Sequence, residues 1–565
     1  MLAASVGIGV AAGLVVALIS LVAHFLHQAL FGLPAEQRLS AQATLASPLL
    51  ALLPAVGGIL IGVSIVLYRR FRTRPPVDPI EANAIHGGKL SFRESLIVTV
   101  QILISSGFGA SVGLEAGYTQ MSSALGSKAA GFLRLRRNEV RMLVGCGAAG
   151  GIAAAFDAPL TGAFYAFELI IGVYSVALLA PVVAAFLAAS FTAHWLGALQ
   201  TPIEVGPIGP LVVSDLPAFL VLGLVGGAVA VGIMLLVAQV ERGFTMVKCP
   251  PPLRPMIGGL AVGALALITP QVLSSGHGAL QLQFAQSPDL AAIALLFVLK
   301  ILASSFSLGS GFRGGLFFAS LLLGLMLGRL GAGLLAITGI APGIDPAIAG
   351  LVGMASLAVG VVGGPLTMTF LVLETTGDLA IAAAVLVAVA MSAMLVRETF
   401  GYSFSTWRLH LRGETIRSPH DVGRLRSLTV ATMMRADVRT ISEDVPIEAF
   451  RTQYPLGSTE RVIAVDKRGR YAGIVLVAEA HRPLPVAEGD AGPPTIERLL
   501  KYKDRFLLPG LNVADAALMF EKTNSEELAV LDSLGSRNVV GLLTEAYLLR
   551  RYAAELDKGW RDLTG

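Results

Sequence analysis

Charge is scarce in this sequence. Asp, Glu, Lys and Arg make up 14% of its 565 residues, against 54% hydrophobic residues and a mean hydropathy of +0.73. Soluble domains average about 25% charged residues, so the chain is built for lipid rather than water. Cysteine is nearly missing. Cys146 and Cys249 stand far apart with no second Cys or His at ligand spacing, which removes a disulfide framework and a zinc site and leaves both as apolar fillers. The eight histidines are dispersed, and there is no phosphate loop or Ser-His-Asp order, so an enzyme is not expected. A net charge of +4, scattered along the chain, does not suit nucleic acid. The start is apolar from Met1 to Phe31 without a basic leader or a small-residue cleavage site, so a cleaved signal peptide is not expected.

What is present is apolar length and glycine. Apolar stretches run over roughly 1–31, 47–68, 92–131, 139–199, 215–239, 254–273, 288–340 and 347–399. A single crossing needs about 20 residues, so the longer stretches must be broken, re-entrant or paired. The 63 glycines suit close helix contacts in lipid. Arg69, Arg70, Arg72 and Arg74 follow one apolar span, and Arg408, Arg412, Arg417, Arg424 and Arg426 follow the last. The positive-inside tendency puts both segments in the cytoplasm. After residue 400 charges become frequent and apolar runs shorten, which marks a soluble C-terminal domain beyond about 408–428.

The membrane part is duplicated. Gly147 to Glu168 (GAAGGIAAAFDAPLTGAFYAFE) aligns without gaps on Gly353 to Glu374 (GMASLAVGVVGGPLTMTFLVLE), matching Pro159-Leu160-Thr161 to Pro365-Leu366-Thr367, Phe164 to Phe370 and Glu168 to Glu374. Upstream, ILISS (102–106) matches ILASS (301–305), and GLE (113–115) matches GLF (315–317). Paired Gly-interrupted segments in two halves point to a substrate site near the bilayer midplane.

The chemistry centres on Glu115, a lone carboxylate in GFGASVGLEAGYTQM. A charge at membrane depth is expensive unless it faces water or a partner, which makes it a functional candidate. The preceding glycines favour a backbone break, after which Glu115 starts a new helix. A helix start offers unpaired N–H groups and the positive end of the peptide dipoles, an anion site without a basic side chain. An anion and the carboxylate then compete, and Glu115 acts as a gate; the bland alternative is a permanent N-terminal cap. The second repeat breaks at Gly314-Gly315 and restarts at Leu316-Phe317-Phe318 with no carboxylate, leaving its amides for an anion.

The order GLEAG (113–117), GAAGGIAAAFDAPLTGAFYAFE, GHGA (276–279), GLFFA (315–319) and GGPLT (363–367) resembles the CLC family of chloride channels and proton-coupled anion exchangers, over about residues 5–412. The resemblance implies a polytopic α-helical membrane protein with inverted repeats and broken, re-entrant helices. It also implies a homodimer in the cell membrane with one pore per subunit. The membrane domain spans 1–412 (repeat one about 1–200, repeat two about 215–400), with a linker over 413–428. By the same resemblance Glu115 falls on the gating glutamate, Phe317 on the aromatic of the second anion motif, and the amides and side chains of Gly113, Leu114, Glu115, Ala116, Leu316, Phe317, Phe318 and Ser405 line the anion path.

The departures from that pattern are specific. Leu114 replaces a basic residue, and Gly117 and Ala319 replace prolines. The first anion motif falls at Pro75-Pro76-Val77-Asp78-Pro79 and keeps only its last proline. Ser405, beside Phe404, stands where a tyrosine normally caps the central site, and Leu169 stands on the inner proton-transfer glutamate. Glu168 is the neighbouring candidate for a proton pathway with Glu115, set against a structural role shared with its repeat mate Glu374.

Residues 429–565 read twice as helix, strand pair and helix, over about 429–485 and 493–557, with IAVDKRGRYAGIVLV (463–477) parallel to AVLDSLGSRNVVGLLTE (529–545). This resembles a tandem pair of cystathionine-beta-synthase-type (CBS) domains, an α/β fold. Such pairs can bind adenine nucleotide, but Tyr547 stands where a ribose-binding Asp would follow Thr544. A structural, dimer-stabilising pair is the favoured reading, with no cofactor required. For the whole chain two readings stay open, a glutamate-gated anion channel, favoured by Leu169, and a proton-coupled anion antiporter; a membrane receptor fits poorly.

Overall fold

The computed structural model describes the chain apart from residues 35, 72–75, 198–202, 204, 207, 287–288, 340–342, 412–428, 483–493 and 552–565. It divides into two compact units, Met1–Asp421 and Val422–Gly565. The expected linker 413–428 and Pro75 lie outside the described residues.

The first unit is helical and runs through one series twice. The first series is α1 (Leu2–Phe31), α2 (Leu53–Phe71), α3 (Pro79–Ala84), α4 (Phe92–Gly107), α5 (Glu115–Phe132), α6 (Arg137–Phe156), α7 (Pro159–Tyr165, continued by a π turn over Ala166–Ile171) and α8 (Val176–Trp195). The second is α9 (Leu216–Met246), α10 (Arg254–Ile268), α11 (His277–Ala285), α12 (Leu290–Ser310), α13 (Phe317–Thr338), α14 (Pro346–Val362), α15 (Pro365–Thr376) and α16 (Leu379–Thr399). Helix α17 (Phe404–Leu411) follows. Among the described residues, 8 helical stretches are long and apolar enough to cross a membrane. The overlong apolar stretches resolve as breaks: 92–131 becomes α4 and α5, and 288–340 becomes α12 and α13.

Local chemistry explains where helices stop. Helix α6 ends at Asp157 (φ 52°) and α14 at Gly363 (φ 91°), both left-handed, and Pro159 and Pro365 then open the next helices. A left-handed residue ends the hydrogen-bond ladder, and proline at a first turn loses no intrahelical bond. Packing repeats as well. Helix α1 lies on α6 and α8 as α9 lies on α14 and α16. A Cβ added at Gly9 would come within 2.9 Å of the Ala185 backbone, and one at Gly223 within 3.0 Å of Ala388. Glycine at both places permits the close approach that holds helices together in lipid.

The halves are tied at their interface. The rings of Phe164 and Phe370 stack at 4.1 Å with planes 7° apart. Glu168 accepts the Leu366 amide at 2.9 Å, the Thr367 amide at 2.8 Å and the Thr367 hydroxyl at 2.6 Å. Glu374 accepts the same three groups from Leu160 and Thr161, at 2.6, 2.9 and 2.7 Å. Each repeat therefore supplies the carboxylate that satisfies the orphan amides at the other's proline-opened helix.

The second unit holds two α/β modules. In the first, β2 (Arg461–Val465) pairs antiparallel with β3 (Tyr471–Leu476) and parallel with β1 (Thr440–Ser442). In the second, β4 (Glu527–Leu531) pairs antiparallel with β5 (Val539–Thr544). The register shifts at Ala464/Val465 and again at Val530/Leu531, and an aspartate, Asp466 or Asp532, holds the turn after each shift. A shared bulge and a shared turn residue mark this unit as a second internal duplication.

Candidate anion pathway

The two interrupted helices meet. Between α4 and α5 the chain turns at Gly109 (φ 88°), and between α12 and α13 it turns at Gly311 (φ 107°) and Gly314 (φ 153°). The amide of Gly113 donates to the Gly315 carbonyl at 2.9 Å, and the Gly315 amide returns a bond to Gly113 at 3.3 Å. Ser307 and Ser105 hydroxyls accept the Ser111 and Arg313 amides at 2.9 and 3.1 Å. The Gly315 N–H is spent on Gly113, so the expectation of amides left for an anion rests on the restart at Leu316-Phe317-Phe318. The helix starts themselves, at Glu115 and Phe317, still present first-turn amides that have no acceptor within their own helices.

A cavity of ≈ 170 Å³ opens beside this junction. Glu115, Ala116 and Thr119 form one wall, Leu316 and Phe317 another, and Ser405 and Arg408 the end nearest α17. Glu115 is 4% exposed, and neither carboxylate oxygen has a hydrogen-bond partner among the described residues. A buried charge without hydrogen bonds is costly. The group must therefore be neutral, move, or share its place with another species. The carboxylate folds back over Gly113, with its Cδ 2.7 Å from where a Cβ on that glycine would sit.

The remaining expected residues divide around the junction. Phe317 lines the cavity and packs against Phe156 at 5.0 Å. Phe318 points away, stacked between Phe156 at 6.0 Å and His277 at 3.6 Å. Leu114 caps α5 and faces a different chamber. Leu169 lines the cavity, whereas Glu168 is occupied by the three donors of α15. That engagement takes the geometric support from Glu168 as a proton carrier, because its oxygens are committed as acceptors at a helix end. Where a serine-bearing motif would stand, the Gln120 amide group binds the Val77 carbonyl at 3.0 Å and Asp78 caps α3 through the Glu81 amide at 2.8 Å.

Three lining residues escaped the sequence reading. Tyr165 packs 6.2 Å from the Phe317 ring, and Arg313 and Arg408 put two guanidinium-bearing residues on the cavity. Arg313 was detectable by the rule that singled out Glu115, a lone charge in an apolar run. Tyr165 carried no comparable signal. In the C-terminal unit a cleft of ≈ 430 Å³ is lined by Arg435, Arg439, Thr459 and Arg461, among others.

A duplicated bundle whose broken helices converge on a buried carboxylate, within a chain of membrane-spanning length, defines a polytopic ion-transport protein with inverted repeats. The chain belongs to the voltage gated chloride channel (CLC) family, which matches residues 57–397, and so to a family of anion transporters. It is 31% identical over 350 residues to the voltage-gated ClC-type chloride channel ClcB of Citrobacter koseri, covering 61% of this chain and 83% of that protein. It is 31% identical over 333 residues to a putative chloride channel protein ClcB-like of Ralstonia nicotianae, covering 58% of this chain and 77% of that one. Among solved structures, a slow cyanobacterial Cl-/H+ antiporter shares the fold with a TM-score of 0.63 at 21% identity, over 73% of this chain and 97% of its own. A eukaryotic CLC transporter covers 96% of this chain and 97% of its own with a TM-score of 0.59 at 16% identity, so the common fold extends into the C-terminal CBS-type unit.

Proposed function

We propose that the chain carries chloride or a similar small anion through a pathway in each subunit of a homodimer, gated by Glu115. The observation that carries this reading is the buried, unpartnered Glu115 carboxylate at the start of α5, beside a cavity that Arg313 and Arg408 also line. Amides at the starts of α5 and α13 supply the anion's hydrogen bonds, and Arg313 and Tyr165 stand in for the serine and tyrosine replaced here by Pro76 and Ser405. A protonated Glu115 vacates the anion's position; an ionised one occupies it.

An uncoupled channel is favoured because the inner wall offers Leu169, which carries no proton, and because Glu168 is held as a helix cap. The antiporter reading draws on Glu115 at the junction and on Asp78, the second carboxylate that lines this cavity. Sealed vesicles with the voltage clamped separate the two. A channel lets chloride flow without moving protons, and uphill proton movement driven by a chloride gradient would establish the antiporter. The arginine-rich segments after α2 and α17 face the cytoplasm in this reading, and the CBS-type pair lies there too. It stabilises the dimer, and titration with ATP tests the arginine-lined cleft for nucleotide.

A further inference from the structure

A second polar chamber, of ≈ 230 Å³, lies against the same helix start. Leu114 lines it, while the next residues, Glu115 and Ala116, line the cavity already described. One helix start therefore separates two compartments. The chamber's polar walls are His24 and His27 from α1, Arg38 from the α1–α2 connection, Tyr118 from α5, and Ser275 and His277 from the turn into α11. If the arginines after α2 are cytoplasmic, the α1–α2 connection lies at the opposite, external face.

The walls offer a small anion one cation and several neutral donors. Arg38 is a permanent cation, Glu36 is the carboxylate among the lining residues, and the imidazoles of His24, His27 and His277 are neutral polar rings tied to Gln28, the Ser106 carbonyl and Ser275. Behind the wall the Lys300 ammonium is buried and donates to the Val272 and Ser274 carbonyls at 3.0 and 2.8 Å. Ser20 and Tyr118 share a single hydrogen bond at 3.0 Å. Two hydroxyls own two hydrogens, and that bond uses one, so the pair keeps a donor for a third group. His277 stacks on Phe318 and bonds Ser275, which fixes the wall next to the start of α13. Leu114 brings no charge to the helix start, so the cation at this point comes from a separate segment of chain.

We propose that this chamber is an anion-loading site on the external side of Glu115. It holds one small monovalent anion between the Arg38 guanidinium and the Tyr118 hydroxyl before the anion passes the gate. The inference rests on the transport reading, and it adds a binding position in front of the gate.

The test is current through planar bilayers containing the full chain, with chloride varied on one face at a time. In Arg38→Gln the half-saturating external chloride rises about tenfold, the size of one charge-assisted hydrogen bond. Arg38→Lys recovers most of it, Glu36→Gln lowers it below wild type, and half-saturation from the opposite face stays put. An unchanged external half-saturation in Arg38→Gln, or an equal rise from both faces, overturns the proposal. Bromide provides the second readout: crystals of the full chain grown in bromide show anomalous density between Arg38 and Tyr118, and an empty chamber overturns the site. A wild type that passes no anion defeats the transport reading instead, and the bromide signal still reports on the chamber.

Discussion

Glu168 and Thr367 sit in opposite halves of the membrane unit and are joined by two hydrogen bonds, amide and hydroxyl, at 2.8 and 2.6 Å. The mirror pair, Glu374 and Thr161, is joined the same way at 2.9 and 2.7 Å. A carboxylate that caps across a duplication is a structural tie. Glu168→Ala and Glu374→Ala should each lower stability by about 1–3 kcal/mol, the cost of stranding donors at a helix end, seen as a drop in melting temperature of the purified protein. Glu168→Gln should leave the pH profile of transport unchanged. A stable Glu168→Gln protein with an altered pH profile would return this residue to the proton path.

Glu115→Gln removes the charge and keeps the shape. Chloride efflux from liposomes should rise at neutral pH and lose most of its pH dependence, because under the proposed gating wild-type efflux should increase toward acid as the carboxyl is neutralised. A variant whose efflux tracks wild type at every pH removes the gate assignment.

The two bridged glycines should differ in their tolerance. A Cβ on Gly113 lands against the Glu115 carboxylate, 2.7 Å from its Cδ, whereas one on Gly315 meets nothing closer than Ala116 Cβ at 3.7 Å. Gly113→Ala should therefore displace the Glu115 carboxylate and change efflux several-fold, as overlaps of one methyl group in packed regions do. Gly315→Ala should stay close to wild type. Equal effects of the two substitutions would show that backbone freedom, and not the carboxylate, decides the outcome.

In the C-terminal unit the Arg470 amide and guanidinium hold the Asp466 carboxyl below its ordinary value. The Ser536 hydroxyl, with the Ser533 and Asn538 amides, does the same for Asp532. A lowered folded-state value means the stabilisation is present above the unfolded carboxylate value, near pH 4, and is lost as pH falls through the folded one. Protection factors at the turns 466–471 and 532–538 of the full chain, corrected for the intrinsic exchange rate, should fall below about pH 4. Asp466→Asn and Asp532→Asn should show fast exchange already at neutral pH.

Much of the membrane unit was legible because duplication writes itself in residue order. Pro159-Leu160-Thr161 and Pro365-Leu366-Thr367 aligned before any helix was placed, and both open helices. The break before Glu115 was legible from glycine and a stranded charge. What stayed hidden depends on contacts between distant segments. Gly113 and Gly315 are 202 positions apart (315 − 113), and neither residue type announces its partner. Tyr165 and the Arg38 chamber were invisible for the same reason, since composition cannot say which side chains share a cavity. The Phe318 ring was not legible either, because helix starts turn successive side chains about 100° apart, so only one of two adjacent phenylalanine rings faces the cavity while both amides stay in the first turn.

The Gly113–Gly315 bridge also bears on biogenesis. During synthesis the ribosome releases the first break long before the second exists, and the two helix starts that the bridge brings together cannot be joined until residue 315 has emerged. A half-translated chain in the translocon therefore has no assembled conduit.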